Sequence, residues 1–190
     1  MRHTRPPLSR RQAIGTLAAL TLTHTQAMTA TTTSAPPETS AVLPKSQLLG
    51  RATLRFFGLQ VYEARLWTAS GFDPHRYDQS PFALELAYAR KLDGPAIAER
   101  SIAEMRRVGD FSEAQARTWQ ALMNQAFPSV VANDRLTGVH DGKGGVRFFF
   151  NGKETAAIQD KDYARLFFGI WLSPKTSAPG LRLSLLGLQD

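Results

Sequence analysis

The chain has 190 residues, a net charge of +7 and no cysteine. Without cysteine it can form no disulfide, carry no cysteine-linked lipid anchor and use no thiol nucleophile. Four of its arginines and one glutamate lie in the first 40 residues, which leaves 19 basic and 15 acidic residues in the remainder. Those basic residues are scattered rather than gathered on one aromatic-rich face, so we expect no nucleic-acid partner.

Residues 1–30 have the pattern of an export signal. Several arginines precede a weakly apolar stretch, Ala13–Leu22, and small residues follow it. The Arg10-Arg11 pair is typical of a twin-arginine signal, and an ordinary secretory signal is the alternative. Both predict a periplasmic or secreted protein. The apolar stretch is shorter than the roughly 20 residues that a membrane span needs, so we expect no stable span.

The composition divides the remaining chain into two parts. Residues 31–46 are rich in Thr, Ser, Ala and Pro and lack apolar periodicity, which predicts a flexible leader. Residues 47–190 have the length of one ordinary domain, which can bury a sufficient core without a metal or a disulfide.

The first half of this domain predicts three strands and a helical hairpin. Residues 51–57 and 59–67 form two strands joined around Gly58, and side-chain alternation over 82–89 predicts a third. In the second strand, Val61, Glu63, Arg65 and Trp67 face one way, and Tyr62, Ala64 and Leu66 face the other. A helix begins near Asp93 and runs to Val108, and a capping box at Ser112 starts a second over 113–126.

The second half predicts a three-stranded meander and two helices. The strands are 134–139, 146–150 and 154–158, and Asn151-Gly152 is a strong hairpin signal between the last two. Asp160 or Asp162 caps the next helix, and a short last helix ends at Gly187. The order β-β-β, α-α, β-β-β, α-α predicts an α+β fold with an antiparallel sheet covered by helices on one face.

Few residues suggest chemistry. His75 and His140 lack the spacing of metal ligands, so we expect no metal site. No nucleophile motif occurs, and we expect neither catalytic residues nor a cofactor. Arginine and tyrosine residues remain on the early strands, and a planar guanidinium binds a carboxylate well. They are Arg51, Arg55, Tyr62 and Tyr88. Alternatively, the arginines pair with Glu63 or Glu85 across the sheet.

Six segments between Leu48 and Leu186 occur in the order and spacing of one known family. They are Gly50–Trp67, Leu84–Arg107, Phe127-Pro128, Asp134–Gly138, Arg147–Gly152 and Phe167–Leu172. In these segments the chain resembles the chalcone isomerase-like family. The resemblance implies an open-faced β-sandwich, a large antiparallel sheet with a layer of helices on one face.

The resemblance also implies a site. Some relatives cyclise chalcones and others bind fatty acids without turnover, and both hold an anionic oxygen with an arginine on the first strand. Arg55 matches that arginine, or Arg51 if the strand shifts register. A threonine, a tyrosine and an asparagine of the plant enzymes correspond to Phe57, Ile97 and Glu104 here. These differences remove hydrogen-bond donors that organise the reactive phenol and ketone.

The leading hypothesis is therefore an exported, non-catalytic binder of a small lipophilic ligand, a carboxylate such as a fatty acid. Arg55 would hold the anion, Tyr62 or Tyr88 would hydrogen-bond to it, and Phe57 and Trp67 would form the pocket wall.

Two alternatives stay open. One is an isomerase or lyase that acts on a small phenolic or enone substrate with Arg55 and a tyrosine. The other is a ligand-free structural or interaction module, which predicts a filled interior and an ion pair between Arg55 and Glu63 or Glu85. A second proton donor opposite Arg55 would favour catalysis.

Overall fold

The structure is a computed structural model that describes Met1 and residues 34–188. The described chain contains a six-stranded antiparallel sheet in which each strand pairs with the next strand along the chain. Short hairpins or helical insertions connect these neighbours, as antiparallel pairing permits. The strands are β1 (Gln47–Phe56), β2 (Leu59–Thr68), β3 (Pro81–Tyr88), β4 (Arg135–Asp141), β5 (Gly145–Phe150) and β6 (Lys153–Gln159).

Five α-helices accompany this sheet in the described chain. They are α1 (Pro37–Val42), α2 (Gly94–Val108), α3 (Glu113–Ala126), α4 (Lys161–Leu172) and α5 (Pro179–Leu186), and a 3-10 helix spans Pro74–Gln79. The predicted order of strands and helices is confirmed, with α1 added in front of it. The α+β fold with one large antiparallel sheet is confirmed as well.

Several helix ends follow the predicted local signals. The Ser112 side chain accepts a hydrogen bond from the Gln115 N–H, and the Gln115 side chain accepts one from the Ser112 N–H. Asp160 caps α4, because its Oδ1 accepts a hydrogen bond from the Tyr163 N–H at 3.0 Å. Gly187 ends α5 with φ of +64°, a left-handed conformation that glycine adopts without strain.

The main core lies between the sheet and helices α2 to α5. Ala64 and Leu66 of β2 point into it, together with large side chains of α4 such as Phe167 and Phe168. A smaller cluster on the opposite face of the sheet contains Trp67, Ala83, Val139 and Phe149. The predicted alternation of β2 is confirmed for Leu66 and Trp67, which belong to different clusters, but it is wrong for Val61, which lines the same cavity between sheet and helices as Tyr62.

Helix α1 is a correction to the flexible leader predicted for residues 31–46. Its residue Glu38 is buried, and its carboxylate lies 2.7 Å from the Arg135 guanidinium and 3.2 Å from the Thr137 hydroxyl. Val42 packs against the smaller cluster on the outer face of the sheet. A six-residue helix is too short to show apolar periodicity, which is why composition alone missed it.

Residues 2–33 lie outside the described residues, so the export signal of residues 1–30 stays a prediction. Among the helices that the structure describes, none is both long enough and apolar enough to cross a membrane.

Candidate functional site

A cavity of about 500 Å³ lies between the sheet and the helices. This volume falls within the range of about 300–1,000 Å³ that is usual for small-molecule sites. Its wall is mostly apolar, because the inward residues of adjacent strands meet aromatic residues of α4. The wall includes Leu84, Leu86, Leu136, Phe148, Phe167 and Phe168.

Three exposed arginines line the cavity: Arg55 near the end of β1, Arg90 after β3 and Arg100 on α2. Among the described residues, Arg55 and Arg90 have no carboxylate oxygen within 4.0 Å. The Arg55 Nη1 donates a hydrogen bond to the Gly58 carbonyl at 3.3 Å. The exposed edge of the cavity therefore offers two cations that can pair with an anionic ligand.

A β-bulge accompanies the placement of Arg55. Leu54 pairs with Tyr62 and Arg55 pairs with Gln60, so Val61 is an extra residue in β2. Bulges bend and twist strands locally and change where nearby side chains point. Here the consecutive residues Leu54, Arg55 and Phe56 all line the cavity, which strict alternation would not allow.

Tyr62 and Tyr88 stand opposite each other on β2 and β3 and both line the cavity. Their rings pack edge to face with centroids 5.9 Å apart. The Tyr62 hydroxyl accepts a hydrogen bond from Trp171 Nε1 at 2.9 Å. The Tyr88 hydroxyl has no hydrogen-bond partner among the described residues. Burial raises the pKa of Tyr62 to about 12 and also raises the pKa of Tyr88. Both phenols are therefore neutral hydrogen-bond donors near neutral pH.

Helix α2 contributes Ile97, Arg100 and Glu104 to the cavity. Glu104 is buried, and its carboxylate lies 2.5 Å from the Arg100 guanidinium and 3.6 Å from that of Arg107. The resemblance pointed to Ile97 and Glu104, but sequence reasoning missed Arg90 and Arg100. One available signal was the four-residue spacing of Arg100 and Glu104, which places both on one face of a helix.

Three of the predicted site residues lie elsewhere. Arg51 is exposed and does not line the cavity. In the pairing of β1 with β2, its backbone lies opposite that of Arg65. Trp67 belongs to the outer cluster, where its Nε1 donates a hydrogen bond to Glu85 at 3.0 Å. Phe57 is 90% exposed in the turn between β1 and β2. The structure thus brings Arg55, Tyr62 and Tyr88 together and leaves out Arg51, Phe57 and Trp67.

The two glutamates proposed as alternative partners pair with a different arginine. Arg65 lies 2.6 Å from Glu63 and 3.3 Å from Glu85, on the outer face of the sheet. No such pair joins Arg55 to either glutamate in the described chain. The ligand-free alternative predicted that pair and a filled interior, and the described residues show neither. Within the same residues, no group of three histidine, aspartate or glutamate side chains is arranged to hold a metal ion.

Three similarities to known proteins accompany this geometry. The profile of a family described as chalcone isomerase-like matches residues 27–187. An uncharacterized protein of Haemophilus influenzae is 25% identical over 141 residues, which cover 74% of this chain and 68% of that protein. The crystal structure of a fatty-acid binding protein of Arabidopsis thaliana matches with a TM-score of 0.60 at 11% identity, covering 80% of this chain and 95% of that one. At that identity, the structural likeness concerns the fold alone.

Proposed function

The chain belongs to the chalcone isomerase-like family, and we propose that it binds a lipophilic carboxylate such as a fatty acid without converting it. One observation carries this proposal: an apolar cavity of about 500 Å³ has Arg55 at its exposed edge, with no carboxylate partner among the described residues. The Arabidopsis protein of similar fold is named for fatty-acid binding, which supports the same ligand class.

In this proposal the head group and the tail of the ligand contribute separately. A hydrogen bond between a guanidinium and a carboxylate contributes about 1.5–3 kcal/mol, and Arg55 supplies it at the cavity edge. Each methylene of the tail contributes about 0.8 kcal/mol when it leaves water for the apolar wall. The Tyr88 hydroxyl also lines the cavity and has no hydrogen-bond partner among the described residues, so it is available as a donor to a polar group of the ligand.

Two features count against turnover of a phenolic or enone substrate. A general acid or base works best when its pKa lies near the working pH, whereas burial raises the pKa of Tyr62 to about 12 and raises that of Tyr88 as well. The Glu104 carboxylate is paired with Arg100 and Arg107. We therefore expect no conversion of added chalcone, and measurable turnover would favour the isomerase alternative.

We also propose that this binder works in the periplasm or outside the cell, because residues 1–30 have the pattern of an export signal. A twin-arginine signal exports proteins that are already folded. A ligand bound before export would travel with the protein, because the cavity forms with the fold.

Native mass spectrometry of the purified chain with added dodecanoate tests the proposal. We expect an adduct of one dodecanoate that disappears under denaturing conditions. Arg55→Ala should reduce occupancy to an extent equivalent to a ten- to hundredfold loss of affinity, because the charged hydrogen bond is lost.

Arg51→Ala is the matched control, since Arg51 is an exposed arginine of the same strand outside the cavity. It should bind dodecanoate like the wild type. Circular dichroism checks that both variants keep the fold. Equal occupancy of Arg55→Ala and the wild type would remove Arg55 as the anion anchor.

A further inference from the structure

The turn between β1 and β2 exposes a group of apolar side chains, which we call the hairpin tip: Phe56, Phe57 and Leu59. Their exposed fractions are 61%, 90% and 59%. The two phenylalanine rings contact each other edge to face, with centroids 4.4 Å apart. Isolated exposed apolar residues are common, but a cluster of this kind on a small domain marks an interaction surface.

Phe57 is unfavourable for folding at its position. Phe57-Gly58 is a two-residue turn with φ of +48° and +79°, and a bulky side chain at positive φ is strained. The β5–β6 turn has nearly the same geometry, with φ of +49° and +86°, and it uses Asn151-Gly152, the preferred pair. The tip therefore carries a phenylalanine where local stability favours asparagine. Strain of this kind points to a role outside the folded core.

Positive charge lies beside the hairpin tip. Arg55 directly precedes it, and the Ala89 N–H donates a hydrogen bond to the Val61 carbonyl at 2.9 Å, which brings the Arg90-Lys91 segment next to the hairpin. Arg55 and Arg90 have no carboxylate partner among the described residues. Phe56 belongs to the tip and also lines the cavity, so the two surfaces are continuous.

We propose that the hairpin tip inserts into the surface of a lipid bilayer with anionic headgroups. Aromatic side chains are favourable at the level of the headgroups, and each nearby arginine or lysine adds attraction to anionic lipid. Two copies of this tip would bring arginines against arginines, which disfavours self-association through it. Insertion sets the edge of the cavity against the membrane, where lipophilic molecules are concentrated.

Vesicle sedimentation of the full chain tests this proposal, with vesicles of equal parts phosphatidylcholine and phosphatidylglycerol and no fatty acid added. Phe57→Asn should lower partitioning about tenfold or more, because the inserted ring is lost. Its melting temperature should stay equal or rise, since asparagine suits the positive φ, so unfolding does not explain the loss. Arg90→Gln should lower partitioning about fivefold.

Two further measurements complete the test. Leu49→Asn also replaces an exposed apolar side chain by asparagine, near the other end of β1, and should bind like the wild type. The tryptophan introduced by Phe57→Trp should shift its emission to the blue when these vesicles are added. Every variant keeps residues 1–33, so differences between variants report the substituted positions.

Three results would overturn the proposal: wild-type partitioning of Phe57→Asn, no emission shift for Phe57→Trp, or equal binding to vesicles of phosphatidylcholine alone. If the wild type dimerises in the absence of vesicles and Phe57→Asn does not, the hairpin tip binds a second copy of the chain instead of a membrane. Vesicle binding at the tip requires no ligand in the cavity, so failure here leaves the dodecanoate experiment unaffected.

Discussion

The pKa is raised above its ordinary value in all four tyrosines of the chain, which are Tyr62, Tyr77, Tyr88 and Tyr163. Desolvation by burial is the largest cause of a raised pKa in each. Tyr62 and Tyr77 have a pKa of about 12, compared with an ordinary value of 10.0. The folded state therefore holds these protons at a pH where the unfolded state has released them.

This difference predicts a loss of stability at alkaline pH. Below pH 10 both states keep the phenolic protons, so the stabilisation is fully present. Between pH 10 and about 12, each such tyrosine lowers the free energy of unfolding by up to about 1.4 kcal/mol per pH unit, because the unfolded state binds fewer protons. Urea unfolding across this range measures the slope. Tyrosinate absorbance that is half developed at pH 10 in the native protein would contradict the account.

Sequence reasoning identified some of the residues that line the cavity. The resemblance identified Arg55, and the aromatic strand pattern identified Tyr62 and Tyr88. The alternation of β2 already placed Trp67 opposite Tyr62, so adding Trp67 to the same pocket conflicted with the predicted strand. The bulge at Val61 was not predictable, because it depends on how β1 and β2 pair and not on either strand alone.

The close contact between helix α5 and strand β1 depends on Gly50. A Cβ at Gly50 would overlap the backbone carbonyl oxygens of Ser184 and Leu185. Helix α5 can therefore pack closely on β1 only when residue 50 lacks a side chain. This explains the glycine that opens the Gly50–Trp67 segment.

Gly50→Ala should lower the free energy of unfolding by about 1–3 kcal/mol, because the helix must shift away from the strand. Chemical denaturation measures the change. Gly180→Ala is the matched control on α5, since its Cβ would meet no atom within 4 Å and alanine favours helices more than glycine does. It should be neutral or stabilising. Equal stability of Gly50→Ala and the wild type would show that α5 does not need this close approach.

Helices and strands could be predicted from the sequence where their ends are determined by neighbouring residues. The capping box at Ser112 and the Asn151-Gly152 turn act through neighbouring atoms, and both occur as predicted. Helix α1 has no such signal, because its position depends on the pairing of Glu38 with Arg135, which is 97 residues away in the chain.

The two faces of the sheet differ: one packs against helices, and the other carries paired charged side chains. One face meets helices α2 to α5 and encloses the cavity. The other face carries a network in which Arg65, Arg135, Glu85 and Glu38 pair with one another. Arg55 and Arg90 belong to neither the core nor this network, and they face the cavity edge. The fold was predictable from the order of elements, whereas the cavity depends on how the helices pack.

We propose that Arg55 selects a carboxylate head group while the apolar wall of the cavity holds the tail. Isothermal titration of dodecanoate and dodecanol into the wild type and Arg55→Ala measures both contributions directly. We expect the wild type to prefer dodecanoate by about tenfold or more, and Arg55→Ala to lose that preference while its affinity for dodecanol changes little. A wild type that binds both ligands equally, or a preference that survives in Arg55→Ala, would contradict the claim.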